Sequence, residues 1–291
     1  MRKPVPFILA IFLFLSARYA HADLVVLIHG YLGSAYSWQT SGIVATLESK
    51  NIPLGGILSP APPWILPSYH RVPNFSKAVH TVYLAQLPSL APIGIQSLAL
   101  EDQLIPLGRK HPRESFILVG HSVGGVVARM ALVRGRLPPV KALITIATPH
   151  LGTPRAEQAL DAISDPWPVE TIKEFFVGGP YPLLQESRGI LFDLIRPVPG
   201  TLLFALNNSL HPKIRYISMV RSQPFPFGAP GYDTLVPAFS QNMNHVPALA
   251  GQSQVIMAPG NHPLHPGDGM ILDQIVHQLT DSSFSQPTGR P

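Results

Sequence analysis

Residues 115–119 (SFILV) form a short, mostly apolar run that passes without a spacer into Gly120-His121-Ser122-Val123-Gly124. Val123, Val126, Val127, Met130 and Ala131 then recur at i, i+3, i+4, i+7 and i+8, which is one apolar face of an α-helix. A buried strand that becomes a helix within a few residues leaves little freedom in the fold, because the two must converge at the turn. Gly120 and Gly124 suit that convergence, where a Cβ would intrude. The stretch therefore predicts a strained turn that lifts the Ser122 hydroxyl above the sheet, a nucleophile elbow, in preference to a small-residue turn with a helix-capping serine.

The same alternation runs along the chain. Residues 24–28 read as a strand buried on both faces, as in a parallel sheet. Further strands are expected at 79–87, 141–147, 213–220 and 253–258. Helices are expected at 41–50, at 95–110 with an end near Gly108, and at 269–279, while Gly135 punctuates the helix after the elbow. Glycine and proline dominate 51–74, which reads mainly as loop. Helical pieces at 156–163, 170–177, 184–195 and 201–207 are broken by Pro166, Pro168, Gly178, Gly179, Pro180 and Pro197. Trp167, Phe175, Phe176, Leu191, Phe192, Leu202, Leu203 and Phe204 make that block strongly apolar. The expected fold class is α/β, a doubly wound, mostly parallel sheet with a helical cap inserted at about 155–212. The domain spans 23–280, and a polar tail follows at 281–291. No internal repeat is visible.

Residues 1–22 read as an address. Arg2 and Lys3 form a basic start, 7–15 is an apolar core too short to span a bilayer as a helix, and Ala20-His21-Ala22 is an A-x-A cleavage site. Cleavage near Ala22 would leave a chain that begins at Asp23 and works in the periplasm or outside the cell. The chain has no cysteine, which excludes a disulfide scaffold and a lipobox anchor. The net charge of +5 includes Arg2, Lys3 and Arg18, and no Lys/Arg cluster appears later, so nucleic acid is not an expected partner. Charged residues make up 13% and hydrophobic ones 46%, a balance that implies apolar surface suited to transient contact with a lipid interface.

A serine hydroxyl needs a histidine to take its proton and a carboxylate to orient that histidine. In a doubly wound sheet both belong at the C-terminal ends of later strands. Asp233, in Gly231-Tyr232-Asp233-Thr234-Leu235-Val236-Pro237, follows the 213–220 strand. Asp193 and Asp165 lie in the cap block and Asp273 lies inside a helix, so they fit less well. His262 and His265 both follow the last strand; His262 is preferred for its spacing, with His265 as the alternative and Asp268 available to cap the final helix. A metal site is not expected, since there is no cysteine and prolines break up His262-x-x-His265. His29 and His121 read as structural hydrogen-bonding residues. Two backbone donors should face the oxyanion: the Val123 N–H at the helix start, and one from the turn at Gly30-Tyr31-Leu32-Gly33, with Tyr31 the candidate.

His29-Gly30-Tyr31-Leu32-Gly33, Gly120-His121-Ser122-Val123-Gly124-Gly125, Ala147-Thr148-Pro149-His150 and Asp233-Thr234-Leu235-Val236-Pro237 together resemble bacterial lipases of the α/β-hydrolase superfamily. The run from Gly120 to His150 also resembles the catalytic domain of GPI inositol-deacylases. The resemblance spans about His29 to His265. It implies carboxylic ester hydrolysis through an acyl-enzyme, without a cofactor, by Ser122, Asp233 and His262, with Tyr31 and Val123 as oxyanion donors. GPI inositol-deacylases are large membrane-embedded proteins and this chain is neither, so their substrate does not carry over. The resulting expectation is a lipase- or esterase-like hydrolase of lipid or other acyl esters. The same triad would serve an amidase, thioesterase or acyltransferase, and a non-catalytic binding protein on this fold is the contrasting alternative.

Overall fold

A computed structural model describes residues 23–59, 80–164, 181–222 and 233–280. The leader at 1–22, the tail at 281–291, the helical piece expected at 170–177 and the flanking Gly231 and Tyr232 lie outside the described residues.

All six residues of β1 (Asp23–Ile28) are buried, because successive side chains enter two different cores. Leu24, Val26 and Ile28 face one core, whereas Val25 and Leu27 face the other. β1 pairs in parallel with β3 (His80–Ala85) on one side and with β4 (Ser115–His121) on the other. Beyond β3 lies β2 (Leu54–Leu58); beyond β4 follow β5 (Val140–Ile146), β6 (Arg215–Ser222) and β7 (Ser253–Pro259). The order β2-β3-β1-β4-β5-β6-β7 makes one seven-stranded sheet in which every pairing is parallel. The doubly wound parallel sheet expected from the sequence is the architecture found.

Helices cover both faces. α2 (Ile43–Ser49) stands where a helix was expected at 41–50, and an unexpected short helix, α1 (Tyr36–Thr40), precedes it, with Gly42 in the left-handed region (φ 79°) between them. They share the core on their face with α10 (Pro266–Thr280). α3 (Ile93–Lys110) and α4 (Val123–Arg134) cover the opposite face. Between β5 and β6 come α5 (Pro154–Ser164), α6 (Tyr181–Glu186), α7 (Arg188–Asp193) and α8 (Leu202–Asn208), all on that second face. α9 (Ala238–Gln241) follows β6. The chain leaves β1 toward one edge and returns through β4 toward the other, so the carboxyl ends of β1 and β4 mark the switch point where a crevice opens.

Two sequence expectations are corrected. Residues 54–58, read as loop, are strand β2. Gly55 has no side chain because the Tyr83 ring occupies its space: a Cβ there would lie 2.6 Å from Tyr83 Cζ. The glycines that suggested a loop are thus a packing device inside a strand. The last helix, expected from 269, starts at Pro266, whereas α3 ends at Lys110 as expected, with Gly108 against Pro138.

Candidate active site

Ser122 stands between β4 and α4 with φ 53° and ψ −129°, a backbone conformation that L-residues rarely adopt. Close approach makes the turn tight. A Cβ on Gly120 would lie 2.4 Å from Gly125 Cα, and one on Gly124 would lie 2.4 Å from the Ile28 carbonyl oxygen. The Ser122 N–H donates to the Ile146 carbonyl at 2.8 Å, which anchors the turn to the end of β5. A strained turn held by three strand ends has little room to relax, so its side chain is aimed rather than mobile.

Two side chains from distant loops complete the constellation. His262 Nε2 lies 3.0 Å from Ser122 Oγ, and His262 Nδ1 lies 2.7 Å from Asp233 Oδ2. The carboxylate can only accept, so Nδ1 carries the ring proton and the neutral ring presents the Nε2 lone pair to the serine. Asp233 is itself held by four donors: the N–H groups of Leu235 and Val236 on Oδ1, and Gln241 Nε2 and His262 on Oδ2. His121 donates from Nε2 to the His262 carbonyl at 2.9 Å, and the two rings meet at a tilt of 47° with centroids 5.1 Å apart. Burial, with the neighbouring His262 as a lesser cause, pushes the His121 pKa down to about 3, so its ring stays neutral and remains a single donor.

His265, the alternative base, is placed elsewhere. Its Nε2 donates to the Pro259 carbonyl at 2.8 Å, and its backbone N–H donates to Asp268. The ring packs over Gly260, whose φ of 122° admits no side chain, and this holds it away from Ser122. Asp268 is the third residue of a helix that begins earlier than expected. It reaches back to the His265 N–H and pairs with the buried Arg221 at 2.6 and 2.9 Å. Of the rival acids, Asp193 accepts from the Ile93 N–H at the start of α3, Asp273 pairs with His277, and Asp165 lies outside the described residues.

The turn after β1 abuts the serine. A Cβ on Gly30 would lie 2.8 Å from Ser122 Cβ, so only glycine lets the loop come this close. His29 ties the loop down: Nε2 accepts from the Leu87 N–H and Nδ1 donates to the Gly30 carbonyl, with burial pushing its pKa down. Tyr31 therefore lies one residue beyond the contact with Ser122, while Val123 opens α4, where an N–H has no acceptor within its own helix. Both border a cavity of about 550 Å³ that also contains Ser122 and His262. Leu191 and Leu194 from the α7 region, Ala156 from α5, and Leu235 and Val236 make its apolar wall; Ser37, Thr40 and Ser41 border it from α1 and the residue after it. Among the described residues no group of three His, Cys, Asp or Glu is placed to hold a metal ion.

Below the elbow lies a cluster not anticipated from the sequence. Arg129 of α4 is fully buried and reaches His150 Nδ1 (3.2 Å), Asn207 Oδ1 (2.9 Å) and His211 Nε2 (3.1 Å), with no carboxylate among these partners. Both imidazoles must be neutral to accept from a guanidinium. Burial, reinforced by Arg129, pushes His150 well below its usual value and His211 down to about 4; burial also lowers Arg129 to about 9. The cluster joins the elbow helix to α8, and its sequence signal was an arginine one position before Met130 on an otherwise apolar helix.

Comparison with solved structures meets the same architecture. A gene product of Listeria innocua superposes with a TM-score of 0.57 at 13% identity, over 91% of this chain and 96% of that one. The mature lipase BlEst2 of Bacillus licheniformis gives 0.56 at 15% identity, over 90% and 93%. The metagenomic carboxyl esterase MGS0156 gives 0.52 at 14%, over 96% and 79%. The fold is that of the α/β-hydrolases. Residues 93–165, from α3 past the elbow through α5, match the model of the PGAP1-like alpha/beta domain. No curated protein matches the chain significantly.

Proposed function

We propose that the protein is a serine-dependent carboxylic ester hydrolase acting through an acyl-enzyme. The observation that carries this reading is the unbroken hydrogen-bonded series from Ser122 Oγ through His262 to Asp233 beside an apolar cavity. In the first step Ser122 Oγ attacks the ester carbonyl carbon while its proton passes to His262 Nε2. The carbonyl electron pair becomes an oxyanion facing the N–H groups of Tyr31 and Val123. Collapse of this intermediate breaks the bond to the alcohol oxygen, which takes the proton from His262. Water then enters, gives a proton to His262, attacks the acyl-enzyme and releases the acid, returning the proton to Ser122. Asp233 keeps the imidazole in the required tautomer and stabilises the imidazolium.

Acyl esters of lipids are the proposed substrate class, on the strength of the leucine-rich wall supplied by the α5–α8 block, which we read as the cap. A cleaved leader at 1–22 and a site of action in the periplasm or outside the cell belong to the same proposal. The test is labelling by a fluorophosphonate, expected in the wild type and absent in Ser122→Ala. Turnover of esters of increasing chain length, with and without an emulsion, then examines the lipid part. Preference confined to short soluble esters would retain the esterase and remove the lipase. A folded wild type that does not label would point to a binding protein.

A further inference from the structure

The Tyr31 side chain leaves the loop at Ser122 and crosses to the cap. Its hydroxyl donates to Ser187 Oγ at 2.9 Å, and Ser187 in turn donates to the Leu183 carbonyl at 2.5 Å. The direction of the pair is fixed, because the Ser187 proton is committed to the carbonyl and its lone pair must accept. Ser187 is fully buried at the junction of α6 and α7, yet its hydroxyl makes no capping bond to α7. The serine therefore does no evident work for its own helix. Burial raises the Tyr31 pKa, which keeps the phenol a donor.

α7 is fixed at three places around the site. Tyr31 meets its start, the Asp193 carboxylate accepts from the Ile93 N–H of α3 at 2.7 Å, and the Leu194 carbonyl accepts from Thr153 ahead of α5 at 3.0 Å. Leu191 and Leu194, which border the cavity, belong to this same segment. The loop itself is a short turn, closed by Gly33 N–H to the Gly30 carbonyl at 3.1 Å, with Leu32 at φ 57°. Tyr31 is thus held at both ends, its backbone by the closed turn and its hydroxyl by Ser187.

We infer that Tyr31 and Ser187 form a positioning pair, through which the seating of α7 against the acyl group sets the orientation of the oxyanion-binding peptide. This rests on Ser122 being the nucleophile. Its consequence is that cap and oxyanion loop are one mechanical unit: an acyl chain that fills the cavity against Leu191 and Leu194 holds the Tyr31 N–H on target, and a short acyl group does not. Long acyl chains would therefore gain in kcat and not merely in KM.

The pair is tested with Tyr31→Phe, Ser187→Ala and the double variant, assayed well below their melting temperatures. For a chain long enough to fill the cavity, each single variant is expected to lose about tenfold in kcat, with KM within about twofold. The double variant should lose no more than either single one in kcat, since the Tyr31–Ser187 hydrogen bond is already lost in each of them. An acetyl ester, too short to reach Leu191 and Leu194, should lose less in kcat than the long ester does. The inference is overturned if kcat for the long ester stays within twofold, if the loss lies in KM, or if the two single losses multiply. Fluorophosphonate labelling separates the two failures. No labelling of folded wild type would sink the hydrolase reading, whereas equal labelling and kcat in wild type and Tyr31→Phe would sink the positioning pair alone.

Discussion

Two histidine clusters, one at the elbow serine and one around Arg129 of the elbow helix, set their histidines against opposite charges. His262 lies against the Asp233 carboxylate at 2.7 Å and keeps a path to Ser122. His150 and His211 lie against the Arg129 guanidinium, fully enclosed. A carboxylate partner orients the ring and stabilises it once protonated; a guanidinium partner orients the ring equally well and forbids the proton. The first arrangement can carry a proton through a reaction cycle. The second is a neutral strut, kept so first by burial and then by the neighbouring positive charge.

The comparison breaks most sharply at the carboxylate. Asp233→Asn preserves the shape but lets the amide donate toward His262, which favours the wrong tautomer. Ester turnover is expected to fall about 10⁴-fold with little change in melting temperature. A loss under about tenfold would mean that Asp233 does not orient the base. On the strut side, Arg129→Met should leave three buried acceptors without their donor while relieving a buried charge, for a net loss of about 2 kcal/mol by urea unfolding at pH 8. Because the guanidinium also helps to hold both rings neutral, the same variant should flatten the acid-side decline described next.

That decline follows from proton counting. The folded protein keeps His121, His150 and His211 neutral below the ordinary value of 6.5, with His211 titrating at about 4 and His121 at about 3. The unfolded chain takes up those protons near pH 6.5, so stability is fully present above that pH and is lost as pH falls toward 4. Each such histidine adds about 1.4 kcal/mol per pH unit within its window. Urea midpoints that stay level from pH 7 to pH 4.5 would contradict the neutral assignment. The smallest effect is expected at His265. Replacement by alanine should leave turnover within about threefold and cost about 1 kcal/mol of stability, since its ring bonds only structural partners.

Much of this was legible because parallel strands buried on both faces write themselves as unbroken apolar runs. β1, β4 and β5 were placed within a few residues for that reason. β2 was not, since its space is filled from the neighbouring strand by Tyr83 and its own letters are glycine. Ser122, Asp233 and His262 could be proposed from chain order, and the structure brings these three together. Choosing between His262 and His265 needed the path of the loop over Gly260. Arg129 left only a lone charge on an apolar helix face and the Tyr31–Ser187 pair left no local signal, because the meaning of each lies in partners far along the chain; Ser187 is 156 positions from Tyr31.

The sheet's all-parallel order has a temporal corollary. His262 follows β7, the edge strand and the last to be synthesised, and it lies 140 positions from the hydroxyl it must meet. No hairpin can pre-assemble the reacting groups, so a growing polypeptide carries an inert serine until its final strand has docked. On the function proposed above, a chain built in this way stays inactive for nearly the whole of its manufacture.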